Sequence, residues 1–215
     1  MKQLDLWKKQ LGVVPEYVFQ EVDLETLILA DNGLQSLPAE IARLQKLRTL
    51  DLGHNRITEL PEALGDLIQI DRFLYLHDNR LTALPSSLAG LTNLRYLNIS
   101  ENAFAVWPEA VSSMVGLREL RVTDNRLQEI PSSLGRLNRL RELHLRNNRL
   151  TTLPEGIEEL GDLRVLDLRG NPLVSLPSAL AGLPRLEKLD LRWTPTLPDP
   201  PWFKDLEARG CLVYR

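Results

Sequence analysis

Three histidines, one cysteine and 29 carboxylates are the side chains of this sequence that could move a proton, hold a metal or attack a carbonyl. None is set in a pattern that such chemistry needs. A cysteine nucleophile requires a base beside it, and no motif places one near Cys211, so that residue reads as a small apolar packing group. His54, His77 and His144 fall in separate stretches without the short spacing of metal ligands, which makes polar surface their expected role. Phosphate-cradling glycine loops, the G-x-S-x-G elbow, H-E-x-x-H and paired cysteines are all missing. The carboxylates recur at regular intervals, as on a solvated face. The sequence therefore predicts a protein that is not an enzyme and needs no cofactor or metal.

One stretch does stand out. "IDRFLYLHDN" at Ile70–Asn79 matches "LRYLNISEN" and "LRELRVTDN" further along, but it is longer by one residue and rich in aromatic side chains. The extra residue lies between Ile70 and Leu74, at the entry to a predicted strand. Two readings follow: a bulge or widened turn that re-aims Phe73, or a tolerated insertion in a connecting segment.

The elements that position these residues come from a repeat. On the pattern L-x-x-L-x-L-x-x-N-x-L-x-x-L-P, Asn32, Asn55, Asn79, Asn102, Asn125, Asn148 and Asn171 share one place. They are 23 residues apart except for the 24 between Asn55 and Asn79. Thr194 stands at the next such place and Lys9 at the preceding one. Within each unit the L-x-L pair alternates with polar residues, which is a short strand with its leucines inward. The asparagine turns the chain out of the strand and is expected to bond backbone groups there. The L-P that follows starts a helical turn or 3-10 segment, since proline has no N–H to satisfy.

This pattern resembles the leucine-rich repeat family, in its 23-residue intracellular type. It predicts an α/β solenoid: a curved horseshoe with a parallel sheet on the concave face and short helical or 3-10 turns on the convex one. The expected organisation is one domain over 1–215. Residues 1–23 form a degenerate N-terminal cap repeat, 24–185 seven regular repeats, and 186–215 the last repeat and a capping segment. In that segment Trp202, Phe203 and Leu206 pack on the final repeat.

The repeat also tells which side chains leave the concave sheet, and those columns hold the candidate site. Phe73, Tyr75, His77 and Tyr96 cluster as an aromatic island on two neighbouring strands. Arg121, His144, Arg146, Arg169 and Arg192 form a basic stripe on later strands, with Glu119, Glu142, Asp167 and Asp190 placed to neutralise part of it by cross-strand pairing. Aromatic residues and arginine are common anchors of protein interfaces. The alternative is that the rings brace the sheet. A second column after the asparagines, Arg56, Arg80, Arg126 and Arg149, has two readings: a surface for an acidic partner or, the favoured one, stems packed along the solenoid and paired with local carboxylates.

Composition bounds the partner. A net charge of −3 and a pI near 5.7 argue against nucleic acid. The first 116 residues carry 10 basic against 15 acidic side chains, and residues 117–192 carry 13 against 11. No apolar run is long enough to span a membrane. One cysteine cannot form an internal disulfide, which favours a reducing, cytoplasmic setting. The expectation is a monomeric scaffold that binds a partner protein through its concave face. The resemblance implies a small GTPase of the Ras group as one partner class, and recognition within a larger enzyme or effector, such as a kinase or ubiquitin ligase, as the alternative role.

Overall fold

The structure is a computed structural model that describes residues 2–215. Ten three-residue strands form one parallel sheet in sequence order: β1 (Gln3–Asp5), β2 (Thr26–Ile28), β3 (Thr49–Asp51), β4 (Phe73–Tyr75), β5 (Tyr96–Asn98), β6 (Glu119–Arg121), β7 (Glu142–His144), β8 (Val165–Asp167), β9 (Lys188–Asp190) and β10 (Leu212–Tyr214). Eight 3-10 segments line the opposite side, one between each successive pair from β1 to β9. Each follows a proline whose carbonyl accepts the N–H three residues on, as Pro61 does from Leu64 at 3.0 Å. The segments pack closely. A methyl group added to Gly65 would lie 2.5 Å from the Ser87 carbonyl oxygen of the next unit.

Between the two layers runs a single core of stacked leucines. Leu50, Leu74, Leu97, Leu120, Leu143 and Leu166 from successive strands are all fully buried. Asparagine side chains tie the units together. Asn148 Nδ2 donates to Leu145 O in its own unit at 3.0 Å and to Val122 O of the unit before at 2.8 Å, while its Oδ1 accepts Leu127 N–H at 3.0 Å. At Thr194 the hydroxyl donates to Leu191 O at 2.6 Å. The residue before each asparagine takes a left-handed conformation: Asp31, His54, Asp78, Glu101, Asp124, Asn147, Gly170 and, before Thr194, Trp193. Aspartate, asparagine, histidine and glycine are the residues that favour it, so Glu101 and Trp193 are the conspicuous occupants.

The last unit is covered by helix α1 (Phe203–Ala208), which buries Phe203 and Leu206. The segment after it adds β10 to the sheet beside β9. Cys211 is buried under this cap, and burial pushes its thiol up.

The longer fourth unit keeps the sheet in register. Thr49 pairs with Phe73, Leu50 with Leu74 and Asp51 with Tyr75, so the ladder contains no bulge and Phe73 stands at its regular place in it. The extra residue is absorbed in a wider turn ahead of β4. Ile70 stays fully buried in the leucine position. Arg72 N–H donates to Arg48 O at 3.1 Å, and the Asp71 carboxylate takes both arms of the Arg48 guanidinium, Nε at 2.9 Å. Asp71 then lines a lateral groove with Arg95, Arg118 and Arg139 rather than facing the open sheet.

Candidate interaction surface

On the open face of the sheet the aromatic island is one connected group. Phe73 and Tyr75 stand two residues apart on β4, hence on the same face, and their rings stack at 5.8 Å with 10° between planes. Tyr96 pairs with Phe73 across β4 and β5 and lies 5.5 Å from it and 5.0 Å from Tyr75. His77 meets the edge of Tyr75 at 6.1 Å, and the Arg121 guanidinium sits 6.0 Å from the Tyr96 ring. Phe73 remains 42% exposed although two rings touch it. Burial pushes Tyr96 up to about 12 and raises Tyr75 as well, so both phenols keep their protons as hydrogen-bond donors at neutral pH. Gly53 admits His77: a methyl there would sit 2.4 Å from His77 Cε1, so the ring lies directly on the neighbouring backbone.

The basic stripe is not a free basic surface. Arg121 bonds Glu119 at 2.6 Å, Arg169 grips Asp167 through two bonds of 2.8 and 2.6 Å, and Arg192 grips Asp190 at 2.9 and 2.8 Å. All three bonds join residues two apart in one unit, alongside the cross-strand pairs expected from the columns. Arg146 reaches across to Asp124 at 3.0 Å, and Arg169 Nε also lies 3.6 Å from Asp190 of the next unit. His144 lies between Glu142 at 3.2 Å and Asp167 at 4.0 Å. Burial would push Asp167 up. The Arg169 side chain, His144 and the Arg169 N–H together outweigh it and hold the carboxyl far below its usual range. At the end of the stripe, Arg169 and Arg192 both lie 5.9 Å from the exposed Trp193 ring.

The unpaired positive charge lies elsewhere. Arg56, Arg80, Arg126 and Arg149 are exposed, and among the described residues they make no ion pair, contrary to the expected local pairing. The column reading also passed over the position just after each unit's first leucine, which carries Arg48, Arg95, Arg118, Arg141 and Arg164. Its signal was the recurrent Leu-Arg-x-Leu. Arg95 and Arg118 from that column line the groove that Asp71 enters. Sequence reading also kept His54 apart from His77, whereas the fold brings their rings to 4.7 Å.

Comparison with known proteins agrees with this geometry. The family model described as leucine-rich repeat region matches residues 4–132, and the leucine rich repeat model matches 115–173 and 138–195. The chain belongs to the leucine-rich repeat family. Among solved structures, this leucine-rich repeat chain is similar to a leucine-rich repeat protein of Leptospira interrogans, with a TM-score of 0.82 and 26% identity over 98% of the chain and 64% of that protein. It is also similar to the leucine-rich repeat ectodomain of the Arabidopsis thaliana membrane receptor kinase GASSHO1/SCHENGEN3, solved in complex with Casparian strip integrity factor 2. There the TM-score is 0.69 with 27% identity, over 100% of this chain and 32% of the receptor. A stretch of 67 residues, 31% of this chain, is 35% identical to part of a Dictyostelium discoideum protein described as probable inactive serine/threonine-protein kinase roco10. The match spans 2% of that curated relative. No helix among the described residues is long and apolar enough to cross a membrane.

Proposed function

We infer that this leucine-rich repeat chain is a non-catalytic scaffold that recognises a protein partner on the open face of its sheet, with Phe73, Tyr75 and Tyr96 as the anchor. The observation that carries this reading is the exposure of Phe73 at the head of three mutually contacting rings. A ring group on a sheet face has apolar area left to bury, and large aromatics concentrate interface energy. His77 and Arg121 flank the anchor. Arg146, Arg169, Arg192 and His144, already neutralised by their own carboxylates, form a polar rim that sets orientation more than affinity. The family supports the reading, since leucine-rich repeats generally mediate protein–protein contacts, and the receptor ectodomain similar to this chain was solved with a protein ligand. The single buried cysteine supports a reducing, cytoplasmic setting, with the chain acting as a monomer.

The test replaces Phe73, Tyr75 and Tyr96 together by alanine, confirms folding by circular dichroism, and quantifies partner recovery from native cells. Loss of one hot-spot ring costs about 2 kcal/mol, roughly 30-fold in affinity, so recovery falls to background. Unchanged recovery by the folded triple variant refutes the anchor. A second reading, a recognition module within a larger enzyme or effector, is favoured by the match to a small part of a very long kinase-like protein. The mass of the native gene product separates the two.

A further inference from the structure

Two histidines that are 23 residues apart in sequence meet beside the aromatic island. His54 follows β3 in the left-handed position and His77 follows β4. Their Nε2 atoms are 3.2 Å apart, with the ring planes inclined at 81°. On its other side, His54 places Nδ1 2.7 Å from Asp78 Oδ2. A carboxylate at that distance keeps the proton on Nδ1 and leaves the Nε2 lone pair bare. Carboxylates orient metal-binding histidines in the same way.

We propose that His54 Nε2 and His77 Nε2 chelate one divalent transition metal of the zinc, nickel and copper class, its remaining positions open to solvent. Two nitrogens each about 2.0–2.1 Å from a tetrahedral ion stand roughly 3.3–3.4 Å apart, so the observed spacing needs almost no adjustment. Without an ion, His77 donates its Nε2 proton to His54, and at 3.2 Å this is a long bond. On metal binding that proton moves to His77 Nδ1. The Nδ1 atom is buried without a hydrogen-bond partner, so either tautomer leaves one unsatisfied atom and the shift costs little. Asp51, Asp78 and Glu101 supply the negative field that favours a cation there. Imidazole donors select zinc, nickel and copper over calcium and magnesium, which prefer oxygen. This site does not depend on a protein partner.

A competing cluster exists at Glu119, Glu142 and His144, whose donor atoms lie within 4.8 Å of one another. There Glu119 is held by Arg121 at 2.6 Å, so an ion would have to displace a guanidinium.

The experiment is calorimetric titration of the full chain, free of any polyhistidine tag, with Zn2+, Ni2+ and Mg2+ at pH 7.5. One equivalent of Zn2+ or Ni2+ binds saturably and Mg2+ does not. Binding is lost in His54→Gln and in His77→Gln, falls about 10–100-fold in Asp78→Asn, and is unchanged in Glu142→Gln. His54 is exposed, so its variant folds even if His77→Gln does not; nitrogen NMR of the wild-type histidine side chains on adding zinc then reports Nε2 directly. The absence of saturable binding, or binding that survives His54→Gln, overturns the proposal. So does loss in Glu142→Gln, which would place the ion in the other cluster.

Discussion

Replacing Asn148 by alanine tests what ties one repeat to the next. The side chain is buried, and its Oδ1 is the partner of Leu127 N–H in the preceding unit at 3.0 Å. Its Nδ2 donates to Val122 O at 2.8 Å and to Leu145 O at 3.0 Å. These losses are unequal. Leu145 O also receives Asn171 Nδ2 at 3.0 Å, and Val122 O retains a longer bond of 3.4 Å from Asn125. Leu127 N–H, on a fully buried residue, loses its side-chain acceptor. An orphaned buried N–H costs about 1–3 kcal/mol and a weakened neutral bond about 0.5–1.5 kcal/mol, so Asn148→Ala is expected to cost roughly 2–4 kcal/mol. That is a large share of the ~5–15 kcal/mol stability of an ordinary domain. Asn148→Thr should lose nearly as much, because a threonine hydroxyl serves its own unit, as Thr194 does with Leu191 O. Urea denaturation followed by far-ultraviolet circular dichroism gives both values, provided the slope is unchanged, since loss of cooperativity between repeats would invalidate a two-state fit. A cost below ~1 kcal/mol for the alanine variant would refute the reasoning. Water or backbone relaxation would then be satisfying Leu127.

Two further outcomes follow from the sheet. Asp167 has a depressed folded-state pKa, so its contribution to stability is complete above the unfolded carboxylate value near about 3.9 and is lost as pH falls through the lower folded value. Melting temperatures measured downward from pH 5 should therefore drop most steeply below about pH 4, and Asp167→Asn should flatten that drop; an equally steep curve in the variant sinks the assignment. Deleting Asp71 leaves Ile70-Arg72-Phe73-Leu74, which reproduces the pattern of Leu94–Leu97. Because the extra residue lies in the turn and not in the ladder, the deletion should lower the melting temperature by only about 2–4 °C and leave partner binding intact. Lost binding with an intact fold would show that the insertion does aim Phe73.

Much of this molecule was legible in its sequence because a repeat is a local code used many times. Leucines at alternate positions are inward wherever a strand forms, so Leu74 and Leu76 being core and Phe73, Tyr75 and His77 being outward followed from parity alone. The seven asparagines gave the unit boundaries, and the prolines gave the starts of the 3-10 segments. The aromatic island was visible too, since stacking units 23 residues apart puts Tyr96 beside Phe73 whatever the details. The cap was legible only in part. Whether Leu212–Tyr214 paired with β9 depended on how α1 folds back.

Tertiary structure decided how the outward side chains choose among neighbours. Strands about 4.8 Å apart offer each arginine a carboxylate on its own strand and others across, and the columns alone do not rank them. Arg169 and Arg192 grip the partner two residues back in their own unit, where a two-pronged grip costs little reach, and Arg169 also lies 3.6 Å from Asp190 across the sheet. The stripe that looked basic in sequence is thereby neutral in space, and exposed arginines outside it carry the unpaired charge. Backbone geometry likewise brought His54 to His77, since the left-handed turn at His54 directs its ring toward the next unit, onto a neighbour seated on Gly53. The extra residue of the fourth unit was plain from counting. Its place in the turn ahead of β4, with Asp71 held by Arg48, was settled by the sheet, because a slip in register would have carried Leu74 and Leu76 out of the core.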